Sequence, residues 1–411
     1  MQIRKIIVLT YVFIIPLAKA LNMPEVYNLQ VNSQLKSDNT TFKIITGGLL
    51  HTCGLTDLGI AYCWGSNLYG QLGNNYETYV TAPTRVDQSS SGIFTSIVAG
   101  GLHTCGLTPG GDIYCWGYNV FGQLGNGEEG TISNPSPTKV SGPLIFKKIY
   151  AGGQHTCGIT TNGKSYCWGY NRYGQLGDGT ITNKSSPEPI SSNLNFTDLA
   201  TGYYHTCGIT SGKFTYCWGD NSFGEVGSGK FSDLESRPKQ VNTNLSTNAV
   251  FFTGIYAGGN HSCETDTMNN LYCWGENEYG QLGNGTYSDK VTPSLVIGNI
   301  KFKYVTLGYD GSCGADNYGA FYCWGYGAQG QLGNDTRQYA TQPTEIKQPS
   351  MDNFIVIYSG AFQNCAISEL GDSYCWGFNE NGQLGTGDTK DKLLPTKVLE
   401  GESSLHASVK Y

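Results

Sequence analysis

The 411-residue chain carries 57 Gly, 28 Tyr and 14 Cys at a formal net charge of −7. Glycine costs a helix interior about 1 kcal/mol and tyrosine favours strands, so the composition excludes a helix-rich protein. An acidic balance without clustered Lys and Arg also argues against a nucleic-acid or other phosphate-binding role.

In chain order, residues 1–20 read as a secretory signal. Arg4 and Lys5 form a basic start, "IIVLTYVFIIPLA" an apolar stretch, and Ala18-Lys19-Ala20 a small-x-small cleavage site. The apolar run is short of the ~20 residues a spanning helix needs and contains Pro16, which favours a signal over a membrane anchor. Its removal takes away three cations, Arg4, Lys5 and Lys19, and leaves a net charge of −10. No other segment is long and apolar enough to span a bilayer, so the mature chain is expected to be secreted and extracellular. Seven N-x-S/T sequons fit that route as glycosylation sites: Asn39, Asn183, Asn195, Asn244, Asn260, Asn284 and Asn334. Residues 21–41 read as a polar N-terminal linker.

Residues 42–398 form seven repeats. The cysteines fall into seven C-x9-C pairs: Cys53 with Cys63, Cys105 with Cys115, Cys157 with Cys167, Cys207 with Cys217, Cys263 with Cys273, Cys313 with Cys323 and Cys365 with Cys375. Each second cysteine precedes Trp-Gly, and successive units are offset by 50 to 56 residues. A period of that size with strand-like content points to the blades of a propeller. Each unit opens on Phe-x-x-aliphatic-x-x-Gly, as at Phe94, Ile97 and Gly100, and ends in Pro-x-x-Val/Ile, as at Pro83 to Val86. Four short strands fit between.

The middle two strands set the register. Placing Cys53 opposite Cys63 centres a three-residue turn on Asp57-Leu58-Gly59, whose third position wants a left-handed residue. Gly59, Gly111, Gly163, Gly319 and Gly371 supply it, Asn269 is the next best choice, and Lys213 breaks the rule. The same register sets Gly54 opposite Tyr62, an aromatic expected to cover the cross-strand glycine. The cysteines then face each other within disulfide reach, and an even count in a secreted chain favours seven disulfides. Metal is not expected: zinc wants four ligands, and each unit offers at most one His and two Cys. The histidine two residues before the first cysteine recurs at 51, 103, 155, 205 and 261, with Gly311 and Gln363 in its place in the last two units. So regular a placement reads as structural, holding a turn or a register.

The combination H-T-C-G-L-T, Y-C-W-G-x-N-x-x-G-Q-L-G and P-x-x-V resembles the repeats of the regulator of chromosome condensation family. GQLG stands at 70–73, 122–125, 174–177, 280–283, 330–333 and 382–385; the fourth unit has Gly224-Glu225-Val226-Gly227 and the sixth has Gly327 in place of Asn. The resemblance implies an all-β, seven-bladed propeller with four antiparallel strands per blade. Ring closure is expected by pairing the last strand, 395–398, beside the first, 42–45. Residues 399–411 read as a C-terminal tail.

Function within that family ranges over nucleotide exchange on a small GTPase, parts of ubiquitin ligases, photoreceptors and secreted enzyme inhibitors, so fold alone does not assign it. No catalytic constellation or cofactor motif appears. Residues that vary between blades are better candidates for ligand binding. The loop between strands one and two and the loop after Trp-Gly should share one face, which carries Tyr118, Tyr170, Tyr203, Tyr204, Tyr309, Tyr326, Phe362 and Phe378, with Asn260 and Glu276 as a polar sector. Aromatic rings anchor protein partners and stack on sugars, though they also pack between blades. The sequence therefore reads as a monomeric, secreted, non-catalytic scaffold for a protein or glycan, in an inhibitory or recognition role. The alternatives are a guanine-nucleotide exchange factor and an extracellular structural component.

Overall fold

Every cysteine pair closes a hairpin. In the computed structural model, which describes residues 40–75, 78–243, 251–350 and 352–401, Cys53 pairs with Cys63, Gly54 with Tyr62 and Leu55 with Ala61. The signal at 1–20, nearly all of the linker and the tail, and the sequons Asn39 and Asn244 lie outside the described residues. The turn closes through Gly59 N donating to Thr56 O and Thr56 N to Ile60 O, both at 3.0 Å. Gly59 has φ +76°, Asn269 φ 61° and Lys213 φ 65°. The strands thus force even a lysine into the left-handed region, at a cost of about 1–2 kcal/mol.

All fourteen cysteines are joined in the seven expected disulfides. Cys53 is bonded to Cys63, Cys105 to Cys115, Cys157 to Cys167, Cys207 to Cys217, Cys263 to Cys273, Cys313 to Cys323 and Cys365 to Cys375, with Cα–Cα separations of 4.0 to 4.1 Å. That spacing is the closer of the two kinds of antiparallel pair. A further strand flanks each side of the hairpin, giving seven separate four-stranded antiparallel sheets with strands in sequence order. Blade 1 runs Phe42–Gly47, His51–Thr56, Ala61–Ser66 and Tyr79–Arg85; blade 7 runs Phe354–Ser359, Gln363–Ser368, Ser373–Gly377 and Lys392–Lys397. The first strand of each blade lies innermost, against the first strands of its two neighbours.

Two expectations are corrected. The last strand does not pair beside the first: Lys392–Lys397 bonds to Ser373–Gly377 of its own repeat. Each repeat already holds four strands, so the ring closes by packing of faces, with Cys365, Cys375, Leu384 and Val398 set against Phe42, Ile45 and Trp64. Nor does Tyr62 cover Gly54. A Cβ on Gly54 would lie 2.6 Å from the ring of Phe42 on the innermost strand, and Phe94 and Phe146 cover Gly106 and Gly158 likewise. Tyr62 stands edge-on to Phe42 with ring centroids 5.8 Å apart.

The core is divided among the blade boundaries. Cys53, Cys63, Leu55, Leu72 and Val86 of blade 1 pack on Phe94, Ile97 and Trp116 of blade 2, and this pattern repeats around the ring. The disulfides therefore lie inside the interfaces. The second cysteines, Cys63, Cys115, Cys167, Cys217, Cys273, Cys323 and Cys375, are wholly buried there, so they belong to the frame and offer nothing to a ligand. GQLG serves the same contact. Gly73 has φ +67°, and a Cβ there would lie 2.7 Å from Trp116 Nε1, which donates to Gln71 O at 2.9 Å. Gln71 Oε1 accepts from Tyr69 N and Asn67 Oδ1 from Leu72 N, both at 2.9 Å, so the turn is held by its own polar side chains.

The recurring histidine is structural, but its bond crosses to the next blade. His51 Nε2 lies 2.9 Å from Thr104 Oγ1, which donates to Gln71 O at 2.8 Å. The hydroxyl proton is thereby used, so the imidazole must donate from Nε2. His103, His155, His205 and His261 repeat the link to Thr156, Thr206, Ser262 and Ser312 at 2.8 to 2.9 Å. Between blades 7 and 1, Gln363 Nε2 donates instead, to His51 O at 3.1 Å and Gly48 O at 3.3 Å. Between blades 6 and 7, Gly311 leaves the link unmade, beside a cavity of about 20 Å³ that Asn364 and Ser312 help to line.

Two outcomes follow from this relay. Burial holds the imidazoles far below 6.5, down to about 4 for His103 and about 3 for the other four, with His51, His155 and His261 also depressed by neighbouring imidazoles. The unfolded chain takes up protons below pH 6.5 that the folded ring refuses. This stabilisation is complete above pH 6.5 and is lost as the pH falls towards 4 and 3, by about 1.4 kcal/mol per pH unit per histidine. His103→Gln, which copies the solution at Gln363, should lower the slope of unfolding free energy against pH by about one proton near pH 5. Gly311→His should fill the cavity, donate to Asn364 Oδ1 and stabilise the ring by about 0.5–2 kcal/mol in denaturant titration.

Candidate functional site

One end of the ring is formed by two loops of each blade tied together through the backbone. Tyr118 N donates to Leu102 O at 3.0 Å, Tyr170 N to Gln154 O at 3.0 Å and Phe378 N to Phe362 O at 3.0 Å. The loop before the second strand and the loop after Trp-Gly therefore share a face. Inside them runs a backbone belt that passes from blade to blade: Leu49 N donates to Gly101 O, Gly101 N to Gly152 O, Gly153 N to Gly202 O, Tyr203 N to Gly258 O, Gly259 N to Gly308 O, Tyr309 N to Ala361 O and Ala361 N to Gly48 O, at 2.9 to 3.2 Å. The glycines permit this approach. A Cβ on Gly153 would lie 2.6 Å from the ring of Tyr203, and one on Gly259 2.9 Å from that of Tyr309. The belt surrounds a central cavity of about 270 Å³, with Tyr203 and Tyr309 among its lining.

Seven of the eight candidate rings join one arc. Tyr118 reaches Tyr170 through Phe121 (centroids 6.0 and 4.6 Å apart), and Tyr170 lies 5.8 Å from Tyr204. Tyr204 meets Tyr203 at 4.5 Å, Tyr203 meets Tyr309 at 5.2 Å, and Phe362 and Phe378 follow at 5.6 and 6.3 Å. Tyr326 stands apart, in a trio with Tyr279 and Tyr339 at 5.0 and 5.2 Å. All eight are half-buried, so the rings pack across blade boundaries and still offer surface. Burial first, and neighbouring phenols second, push the Tyr204 hydroxyl up; burial with Asp310 pushes Tyr309 up to about 12. These hydroxyls stay neutral hydrogen-bonding groups.

Tyr69, Phe121, Tyr173 and Tyr279 belong to the same surface and are absent from the sequence-derived set. They share one repeat position, two residues before the Gln of GQLG, where the Gln side chain accepts their backbone N–H at 2.9 to 3.1 Å. Aromatic recurrence at that position was the available signal. Of the described sequons, Asn183 and Asn195 are exposed while Asn260, Asn284 and Asn334 are half-buried. Asn260 Nδ2 donates to Glu276 Oε2 at 3.2 Å, so the polar sector expected in blade 5 is an amide–carboxylate pair.

That sector extends beyond the fifth blade. Asp220, Glu276, Glu278 and Asp310 gather around it, together with Glu225, which replaces the Gln of GQLG in blade 4. Glu225 Oε2 accepts from Phe223 N at 3.0 Å, while Oε1 is buried without a partner among the described residues. Burial above all, then Asp220 and Glu276, pushes its carboxyl up to about 8. Burial and then Glu276 and Glu278 push Asp310 up to about 7. In the folded chain Glu225 keeps a proton that the unfolded chain releases, so stability falls as pH rises from about 4.5 to about 8. Glu225→Gln should remove that loss, its advantage over the wild type growing by about 1.4 kcal/mol per pH unit across the window in urea unfolding.

Comparison with known proteins sets these features in context. The chain is 28% identical over 365 residues to the ultraviolet-B receptor UVR8 of Arabidopsis thaliana, covering 88% of this chain and 82% of the receptor. Human WBSCR16 superposes with a TM-score of 0.74 at 22% identity, over 83% of this chain and 94% of that one. Prp20p of Saccharomyces cerevisiae, a structure described together with its binding to Gsp1p and histones, superposes at 0.71 and 20% identity, covering 88% of each chain. The model of the regulator of chromosome condensation (RCC1) repeat matches residues 59–107, 110–159, 162–209, 215–263, 269–315, 318–367 and 371–409. With seven matched repeats, seven four-stranded blades and GQLG turns seated on buried indoles, the chain belongs to the regulator of chromosome condensation repeat family.

Proposed function

We propose that this chain is a secreted, non-catalytic scaffold that binds an extracellular protein or glycan through the aromatic face. The observation that carries the reading is the arc of half-buried rings from Tyr118 to Phe378, fixed on a frame of disulfide-closed blades. Aromatic side chains with few rotatable bonds are effective anchors because little conformational entropy is lost when they are covered. Secretion is supported by the signal pattern at 1–20 and by seven disulfides, which persist in oxidising compartments. The same cysteines disfavour nucleotide exchange on a cytosolic or nuclear GTPase. The likeness to Prp20p, at 20% identity, extends to the fold.

A non-reducing peptide map of the native protein should show the seven bridges and a new N-terminus near Leu21; an intact Met1 with free thiols would contradict secretion. Replacing Tyr118, Tyr204 and Phe362 together with Ser should weaken binding of the partner recovered from the native fluid by about 100-fold. Unchanged binding by a folded triple variant, checked by its melting curve, would rule out this face.

A further inference from the structure

Four carboxylates in adjacent blades depart from the repeat. At the position after Trp-Gly, blades 1, 2, 3, 6 and 7 carry Ser66, Tyr118, Tyr170, Tyr326 and Phe378, whereas blades 4 and 5 carry Asp220 and Glu276. Three residues before the first cysteine, blade 6 has Asp310 where the others have Leu50, Leu102, Gln154, Tyr204, Asn260 and Phe362. Glu225 stands where the other six GQLG-type turns have Gln. Independent departures converging on one sector of one face indicate a local requirement, because blades 1, 2, 3 and 7 are built without any of them.

Among the described residues the carboxyls gathered there have no ion-pair partner. Among the described residues, the ion pairs use Asp112, Asp178, Asp198, Asp335, Asp372, Asp388 and Asp391, and none reaches Asp220, Glu225, Glu276, Glu278 or Asp310. Arg337 of blade 6 pairs with Asp391 at 3.6 Å. Glu276 is buried with only an amide as partner, and the fully buried Glu225 keeps an unpartnered oxygen within electrostatic reach of Glu276. Aromatic rings stand in the same place: Tyr309 adjoins Asp310 in the chain, Tyr326 N donates to Asp310 O at 2.9 Å, and Tyr279 lies 5.0 Å from Tyr326. Ring faces and carboxylates together suit a cation on an organic stem. Among the described residues no three acidic, His or Cys side chains group closely enough to hold a metal ion.

We propose that blades 4 to 6 of this face seat an arginine or lysine side chain of the protein partner, against Tyr309 and Tyr326 and between Glu276, Glu278 and Asp310. The inference rests on the binding face proposed above and assigns its partner a cationic anchor. Burial first, and repulsion from neighbouring carboxylates second, hold Asp310 and Glu225 well above the ordinary carboxylate range, and a bound cation relieves that repulsion.

The test is calorimetric titration with acetylated hexa-arginine and hexa-lysine peptides, with hexa-glutamate as the opposite-charge probe. The wild type should bind the cationic peptides and not hexa-glutamate. Glu276→Gln with Asp310→Asn should weaken that binding by about tenfold or more. Glu128→Gln with Glu129→Gln removes the same number of carboxyl groups from an exposed loop and should leave binding within about twofold. Glu278 is exposed, so Glu278→Gln gives a smaller loss without disturbing the fold and serves if the double variant melts early. Equal binding by E276Q/D310N, or an equal loss in the loop variant, overturns the proposal. Separate failures stay distinguishable: native-partner binding that survives the triple ring variant removes the face itself. Binding that needs the rings but ignores E276Q/D310N removes only the cation seat.

Discussion

The contact on which the rest of this protein depends is the one between each buried indole and the last glycine of the preceding GQLG turn. At Gly73 and Trp116 no side chain fits between them, and the indole N–H is satisfied by the carbonyl of the neighbouring glutamine. A blade taken alone exposes a disulfide and aliphatic residues on one side and a Phe–Ile–Trp set on the other. Neither face is covered until a neighbour arrives, so stability accrues at boundaries between repeats rather than within them. Closure of the ring is therefore a thermodynamic necessity, and here it comes from face packing between blades 7 and 1 without a shared strand.

Polar groups are treated in the same way. The imidazole of one blade, the hydroxyl of the next and the glutamine carbonyl between them form a chain of bonds buried in the interface. The chain satisfies Nε2 and the hydroxyl, while Nδ1 of His51, His103, His155 and His261 is buried without a partner among the described residues. The departures show how narrow the options are. Gln363 reproduces the donor with a different shape, Gly311 leaves a small cavity, and Glu225 keeps the acceptor of Gln but gives up the amide.

With the frame fixed by repeated residues, the loop face is free to vary. Its rings contact one another across blade boundaries, which orders them before any partner binds. Its carboxylates collect in blades 4 to 6, where Asp310 feels Glu276 and Glu278. The aromatic arc reaches the rim of the central cavity through Tyr203 and Tyr309.

Fold, blade number, hairpin register and disulfide pairing were legible in the sequence because they are local and repeated seven times. A ten-residue cysteine spacing around a left-handed turn position admits one pairing, and even Lys213, between Cys207 and Cys217, obeys it. What covers Gly54 was not legible, since Phe42 and Tyr62 are both aromatic and only the third dimension places one ring over the glycine. Ring closure was misread for a related reason: strand order fixes neighbours within a sheet, while contact between blades depends on face packing that no period reveals. The eight candidate rings could be assigned to one end of the ring from strand alternation. That seven of them touch, that Tyr69, Phe121 and Tyr173 join them, and that Asp310 faces the charges of Glu276 and Glu278 was decided by the tertiary structure alone. Residues some fifty positions apart meet there because the blades wrap around a common axis.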